Sequence, residues 1–346
     1  MTIPRVGYVS DVQTLDRSTP WHDPRWRVRG VNPLQAGLRL QQSWWRQECR
    51  GIADAGRLYP PPKKGKKPRA RNPLVASILP EGLDGFEPNL MWPEVVDALE
   101  ESKRDLNSAA GILYEDRLRR NLLSSQPLCF NLFGYLSRVE PNALVRWVQS
   151  MAPDATSVVR IRLEYAPTVA ELGELPLGGS AFDAFVEYEI PGERLGFIGI
   201  ETKYHEDLAK ALMLPSEGSP GREKYVKETA RRPWKDGAAL RLLEHRRNLQ
   251  FWYNQLLAQR TFELLKRPDG SRLYAEYAEV VVASDFDSSA TRVVSTVVDS
   301  LPRATTVLCA SPRSRTYCAQ SRVTTIGRVS SASGTQTSLR SRSICR

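Results

Sequence analysis

The chain has 346 residues, of which 41% are apolar and 25% charged, so a fully disordered or collagen-like protein is excluded. The length allows one large domain or two ordinary ones. No stretch approaches the ~18 apolar residues of a transmembrane helix, and the N-terminus lacks the pattern of a secretory signal. We therefore expect a cytoplasmic protein that does not cross a membrane. The spacing of its histidines and cysteines matches no zinc motif and no disulfide framework.

The formal charge of +10 lies mostly at the C-terminal end of the chain. Residues 288–346 contain nine Arg, one Asp and no Lys or Glu, and they are rich in Ser and Thr. This composition and its lack of periodicity beyond Leu308 predict a disordered tail with little packed structure. Two origins remain open: a natural basic tail that binds nucleic acid weakly, or a frameshift shortly after Asp285. The charge is therefore weak support for nucleic-acid binding by the remaining residues.

Residues 1–105 are predicted to form an N-terminal region of helix and loop. Leu34–Cys49 has the apolar spacing of a helix. Residues 60–71 combine four prolines with a run of Lys and Arg, which predicts a solvated loop. The alternative for this loop is contact with phosphate groups.

Residues 106–287 form a second predicted domain with a regular order of elements. In chain order they are a helix at Ala109–Leu123, strands at Ser157–Tyr165, Ala181–Glu189 and Leu195–Lys203, a helix at Gly237–Lys266 and a strand at Tyr277–Ser284. The second and third strands flank a hairpin turn that contains Pro191 and Gly192. Hairpins together with a strand that follows a long helix predict an α/β fold with a mixed central sheet flanked by helices.

The predicted hairpin brings charged residues together at one end of the sheet. Asp183 and Glu201 are equidistant from Gly192, so they should face each other with Cβ atoms ~4.5–5.5 Å apart. Lys203 is two residues beyond Glu201 and projects from the same face. Opposed carboxylates are destabilising unless something offsets them, and Mg²⁺ is a suitable counter-ion. The alternative is a structural ion pair of Lys203 with Glu201 or Asp183.

Two further glutamates, Glu115 and Glu164, lie on elements that adjoin the predicted site. Glu115 lies on the apolar stripe of the first predicted helix near Leu118, where a carboxylate needs a partner. A metal site would supply that partner, but Glu115 could equally belong to the polar edge of the stripe. Glu164 alternates with Arg160 and Arg162 on the polar face of its strand, which favours a structural role.

These residues resemble the signature of the PD-(D/E)XK nuclease superfamily, which has the restriction-endonuclease-like fold. Its αβββαβ core matches the predicted element order. Its Asp on the second strand corresponds to Asp183, and its Glu-x-Lys on the third corresponds to Glu201, Thr202 and Lys203. Phe182 stands where the named motif has Pro. The segments 115–134 and 178–183 look like a poorly characterised bacterial branch of restriction endonucleases, and the resemblance covers roughly residues 30–287.

The resemblance implies a metal-dependent DNA endonuclease that uses Mg²⁺ or Mn²⁺. Asp183, Glu201 and the Thr202 backbone carbonyl would hold the cation, and Glu115, the Glu of the first core helix, would complete the site. Lys203 would position the attacking water and stabilise charge on the phosphate. The last helix would add Gln250 or Gln255.

Three further expectations concern the oligomeric state and the alternatives to a nuclease. Many nucleases of this fold act as dimers, so a homodimer is one expectation for the oligomeric state. The alternatives to a nuclease are a catalytically inactive nucleic-acid-binding protein of the same fold and a truncated or frameshifted product without function.

Overall fold

A computed structural model describes the central part of the chain and several short ranges. The described residues are 33–57, 74–106, 113–172, 180–204, 217–220, 222–223, 226–227, 248–284, 292–293, 309–310 and 321–330. The predicted basic loop at 60–71 lies outside these residues.

The described helices and strands cover most of the elements expected from the sequence. The helices are α1 (Pro33–Trp44), α2 (Pro93–Leu106), α3 (Glu115–Arg120), α4 (Ser125–Cys129), α5 (Tyr135–Arg138), α6 (Pro141–Met151), α7 (Val169–Leu172) and α8 (Leu249–Leu264), with π-helical turns at Trp45–Cys49 and Phe130–Gly134. The strands are β1 (Gly56–Arg57), β2 (Leu74–Val75), β3 (Ser157–Tyr165), β4 (Phe182–Ile190), β5 (Arg194–Thr202), β6 (Tyr274–Ser284), β7 (Cys309–Ala310) and β8 (Ser321–Ser330). No helix in the described part of the chain is both long and apolar enough to span a membrane.

The central sheet is mixed, as predicted. Strands β3, β4 and β5 are antiparallel neighbours, and β6 pairs with β5 in parallel. A parallel neighbour requires a crossover connection, and helix α8 lies between β5 and β6 in the chain. The order helix, three strands, helix, strand is therefore the αβββαβ order expected from the sequence.

The hairpin between β4 and β5 has the predicted register. The pairs run from Ile190 with Arg194 at the turn to Ala184 with Ile200, all equidistant from Gly192. Gly192 adopts a positive φ of 84°, which glycine accommodates without strain. The paired residues end one position before Asp183 and Glu201, so the side chains of these two residues lie at the end of the ladder.

Each face of the sheet packs against a different core. The first face packs against the segment from α2 to α6, and its strand residues include Ala184, Val186, Ile198, Ile200, Val280 and Val282. The opposite face packs against α8 through a cluster of aromatic residues that includes Phe182, Phe185, Phe197, Phe262, Tyr274 and Tyr277. The alternation of side chains along each strand separates these two cores.

Two glycines on β5 make room for aromatic rings. A Cβ atom at Gly199 would lie 2.4 Å from Cε1 of Phe182, and one at Gly196 would lie 2.4 Å from Cζ of Tyr188. The rings therefore pack directly on the β5 backbone. Phe182 precedes Asp183, so its packing on Gly199 also positions the start of β4.

Two helices differ from the sequence prediction. The helix predicted at Ala109–Leu123 is described only as the short α3, because Asn121 takes an extended backbone conformation and bridges to Ile78. Residues 107–112 lie outside the described residues. The long helix predicted at Gly237–Lys266 is described from Leu249 to Leu264.

The tail predicted to be disordered contains two described strands. Strand β8 pairs antiparallel with β6, and the two-residue β7 pairs with β8. Without β8, the N–H and C=O groups along one side of β6 would have no partner strand. Main-chain hydrogen bonds to these groups do not require a hydrophobic pattern, so a segment with little hydrophobic periodicity can join the sheet. The rest of the tail, apart from residues 292–293, lies outside the described residues.

Substitution of Gly199 tests the packing of Phe182. We expect Gly199→Ala to destabilise the protein by about 1–3 kcal/mol, since the added methyl group overpacks the ring. Urea unfolding followed by circular dichroism measures this change. Gly134→Ala is the control: its methyl group would lie 3.5 Å from Ala98 and fit without displacement, so stability should be kept or slightly raised. Equal stability of Gly199→Ala and wild type would contradict the packing argument.

Candidate functional site

Glu201 lies at the C-terminal end of β5, beneath helix α8, and is only 4% exposed. Its Oε1 accepts a hydrogen bond from Nε2 of Gln250 at 2.6 Å, and its Oε2 accepts one from Nδ2 of Asn254 at 2.8 Å. These two residues are four apart on α8 and share one face of the helix. Their amides replace the water that the carboxylate loses on burial.

Lys203 supplies the positive charge next to this carboxylate. Its Nζ lies 2.6 Å from Oε1 of Glu201, and the residue is 8% exposed. The two side chains meet because residues two apart on an extended backbone point to the same side. The Lys203 amide donates to the carbonyl oxygen of Val282 at 2.7 Å, which holds the chain against β6 just beyond the end of β5.

Asp183 is half-buried at the start of β4 and joins three elements. Its Oδ2 accepts a hydrogen bond from the backbone amide of Thr202 at 2.6 Å. Its own carbonyl oxygen accepts a hydrogen bond from Sγ of Cys129, at the end of α4, at 3.3 Å. The predicted site residues Asp183, Glu201, Thr202 and Lys203 therefore come together at one end of the sheet.

Glu164 at the end of β3 is a third buried carboxylate, with 7% exposure. Its φ of 54° is in the left-handed region, which is uncommon for a residue other than glycine. This conformation interrupts the alternation of the strand, so Leu163, Glu164 and Tyr165 are all buried in succession. Oε1 of Glu164 accepts a hydrogen bond from Nε2 of Gln126 on α4 at 2.8 Å.

The carboxylates at this end of the sheet resist ionisation. Burial raises the pKa of Glu164 to about 7, with a further contribution from the negative charge of Glu201 and partial compensation by the Gln126 hydrogen bond. Burial also raises the pKa of Asp183 well above its ordinary value, and the charges of Glu201 and Glu164 add to this effect. Lys203 opposes both shifts but does not cancel them. When Asp183, Glu164 and Glu201 are all ionised, their negative charge therefore exceeds the single positive charge of Lys203.

This donor chemistry suits a hard divalent cation. Mg²⁺ prefers carboxylate oxygens together with water, and Asp183, Glu201 and Glu164 supply such oxygens where mutual repulsion favours a cation. Within the described ranges, no three acidic, His or Cys side chains are already gathered as a complete metal-binding group. The residues fit the cation by their chemistry and charge.

Glu115 is not brought to this cluster. Its side chain is 64% exposed at the first turn of α3, and its Oε1 lies 2.9 Å from Nη2 of Arg119. Glu115 is not part of the predicted apolar stripe, because the described helix begins at Glu115 itself. Of the two glutamines expected from the last helix, Gln250 reaches Glu201, whereas Gln255 donates to the Tyr277 hydroxyl at 3.3 Å.

Sequence reasoning missed two members of the site. Asn254 could have been found from its spacing, since it lies four residues after Gln250 on the same helix face. Glu164 was assigned to the polar face of β3 by alternation, and nothing in the sequence marks the left-handed residue that changes its direction.

Glu279 on β6 is a further buried acidic residue under α8. It is paired with Gly199 on β5, and neither of its carboxylate oxygens has a hydrogen-bond partner in the described part of the chain. Burial raises its pKa well above the ordinary value, and the charge of Glu201 adds to the shift. The surroundings of Glu279 therefore disfavour its ionised form.

Comparison with known proteins identifies the family. No curated protein matches the chain. No solved structure matches it either. A family model described as the PD-(D/E)XK nuclease superfamily matches residues 29–342, nearly the whole chain. Members of this superfamily are generally nucleases and typically use divalent metals. The chain belongs to the PD-(D/E)XK nuclease superfamily.

Proposed function

We propose that this protein is a Mg²⁺-dependent endonuclease that hydrolyses phosphodiester bonds in DNA. The observation that carries the proposal is Glu201 paired with Lys203 at 2.6 Å, next to Asp183, at the end of the central sheet of a PD-(D/E)XK superfamily member. The raised pKa values of Asp183 and Glu164 support a cation at this position. Mn²⁺ has similar ligand preferences and is expected to substitute for Mg²⁺.

In this proposal Asp183, Glu201 and the Thr202 carbonyl hold the cation, and Glu164 takes the role first expected for Glu115. A bound Mg²⁺ lowers the pKa of its water and polarises the scissile phosphate. Gln250 and Asn254 keep the Glu201 carboxylate oriented, since each donates to one of its oxygens. Gln126 does the same for Oε1 of Glu164 and leaves Oε2 available.

Lys203 acts on the phosphate and on the attacking water. Its ammonium has three donors, and the short contact with Glu201 holds it at the site. As the water oxygen bonds to phosphorus, the bond from phosphorus to the leaving oxygen breaks, and Lys203 stabilises the negative charge that grows on the non-bridging oxygens. Because the ammonium is buried, this attraction is stronger than it would be in water.

Cleavage of plasmid DNA tests the proposal. With Mg²⁺ the wild type should nick supercoiled plasmid, and EDTA should abolish nicking. Glu201→Ala, Asp183→Asn and Lys203→Ala should each reduce the rate by at least ~10²-fold, because several kcal/mol of transition-state stabilisation is lost. Gel electrophoresis over a time course measures the rate.

Exposed Glu115 provides the matched control for the buried glutamates. Glu115→Gln should cleave at the wild-type rate, whereas Glu164→Gln should be strongly impaired. Cleavage that survives EDTA or Glu201→Ala would refute the metal mechanism. Binding of nucleic acid with no cleavage under any condition would instead favour the inactive binding protein.

Stability against pH provides a second test that does not depend on activity. The pKa of Glu164 is about 7 in the folded protein against an ordinary 4.5, so the folded state binds the extra proton between these values. In EDTA, stability should therefore fall as pH rises from about 4.5 to about 7. Asp183 and Glu279 shift in the same direction and should reinforce the effect.

Mg²⁺ should reverse this loss, because it binds the ionised carboxylates. At a hundred times its Kd it should add about 2.7 kcal/mol of stability at pH 8, and much less at pH 5. Thermal unfolding at the two pH values, with EDTA or Mg²⁺, measures the effect. Glu164→Gln should flatten the pH dependence, while Glu115→Gln should leave it unchanged. Identical melting with and without Mg²⁺ at pH 8 would count against a cation site.

A further inference from the structure

Helix α3 contains three arginines, and one of them differs from the others in its partners. Arg119 and Arg120 form ion pairs with Glu115 and Asp116, each four residues earlier on the helix. Arg117 forms no ion pair with a carboxylate in the described part of the chain. Its guanidinium lies instead over the ring of Tyr114, 4.1 Å from the ring centroid. The charge of Arg117 is therefore available to an anion.

This pair lies beside the carboxylate cluster. The backbone amide of Tyr114 donates to Oε1 of Gln126 at 3.0 Å, and Nε2 of the same glutamine donates to Glu164. One side chain thus connects the backbone of Tyr114 with a carboxylate of the site.

Both side chains are open to solvent. Tyr114 is 46% exposed, and Arg117 is exposed as well. A cation–π contact at an exposed site contributes only about 0.5–1 kcal/mol. Fold stability alone therefore gives little reason to keep an aromatic ring exposed at this position.

Together, the side chains of Tyr114 and Arg117 have the chemistry needed to bind one nucleotide. A guanidinium binds phosphate oxygens through two parallel hydrogen bonds, and an exposed ring provides a surface on which a base stacks. In a duplex the base is already stacked between its neighbours and paired, so its faces are not available to Tyr114. An unpaired base has free faces. The pair therefore suits a nucleotide in a single-stranded segment.

We propose that Tyr114 and Arg117 bind the nucleotide next to the scissile phosphodiester, and that the preferred substrate carries a single-stranded DNA segment there. Arg117 binds the flanking phosphate and Tyr114 stacks on the unpaired base. The inference rests on the proposed nuclease function and narrows its substrate class. It also assigns one binding residue directly before α3 and one on it, although Glu115 of the same helix lies outside the carboxylate cluster.

Binding to oligonucleotides tests this inference separately from cleavage. Fluorescence anisotropy in EDTA compares a labelled single strand with a duplex of the same sequence, using the full-length chain. Tyr114→Leu should weaken binding of the single strand about tenfold and change binding of the duplex less than about twofold, while Tyr114→Phe keeps the stacking surface and should match wild type. Arg117→Gln should weaken binding and reduce the salt dependence for the single strand by about 0.7 in log–log slope.

Arg119→Gln is the matched control, since this arginine lies on the same helix but is paired with Glu115. It should bind both oligonucleotides as wild type does. Thermal melting of each variant checks folding, which these exposed positions should leave intact. Cleavage of the same oligonucleotides with Mg²⁺ should show the same order of variants through KM.

The outcomes separate this inference from the proposed function. If wild type cleaves DNA but Tyr114→Leu and Arg117→Gln bind the single strand as wild type does, the inference is overturned and the nuclease proposal stands. An equal loss of single-strand and duplex binding in Tyr114→Leu would also overturn it. If wild type neither binds nor cleaves any DNA, the proposed function fails and the inference fails with it. Equal preference for an RNA single strand would overturn the assignment to DNA.

Discussion

Burial of the Glu201 carboxylate beneath helix α8 is the constraint on which the site depends. A buried carboxylate without partners costs several kcal/mol, so it persists only where donors are built around it. Gln250 and Asn254 donate to its two oxygens and Lys203 supplies the counter-charge. Gln250 and Asn254 can reach Glu201 only if α8 crosses the end of β5. The parallel return of the chain into β6 is therefore part of the site's support.

The site also concentrates negative charge that the fold tolerates at a cost. Asp183 and Glu164 have raised pKa values because burial and mutual repulsion disfavour their ionised forms. The two hydrophobic cores, one on each face of the sheet, offset this cost. Strain and unfavourable electrostatics of this kind are typical of positions kept for function rather than for stability. The left-handed backbone of Glu164 is a second instance at the same place.

Helices α3 and α4 connect the buried site with the surface. Gln126 bonds both to Glu164 and to the backbone of Tyr114, so the conformation of the exposed segment and the position of a buried carboxylate are linked by one amide. Glu115 has a different role in this arrangement. An acidic residue at the first turn interacts favourably with the helix dipole, and its ion pair with Arg119 adds to the stability of a very short helix.

Local rules determined much of the fold. The period of two and the Pro-Gly turn were enough to place β4 and β5 in register, because pairing in a tight hairpin follows from the position of the turn. That register by itself predicts Asp183, Glu201 and Lys203 at one end of the sheet. The helical spacing of residues 249–264 likewise predicted α8 and drew attention to Gln250. Strand β8 could not be predicted, since main-chain pairing to β6 leaves little trace in the side-chain pattern.

Only the tertiary structure determined that Glu164 is the third buried carboxylate of the cluster. Alternation assigned Glu164 to a solvated face with Arg160 and Arg162, and one left-handed residue at the end of β3 turned it inward toward Gln126. Glu115 has the residue type and the spacing expected of a site residue. Its side chain is nevertheless exposed to solvent, because the described helix starts at that residue. The sequence by itself determined which residues face each other across the hairpin, since this depends on contacts near in the chain. Which distant side chains complete the site depends on how separate elements pack together, and no local pattern records that.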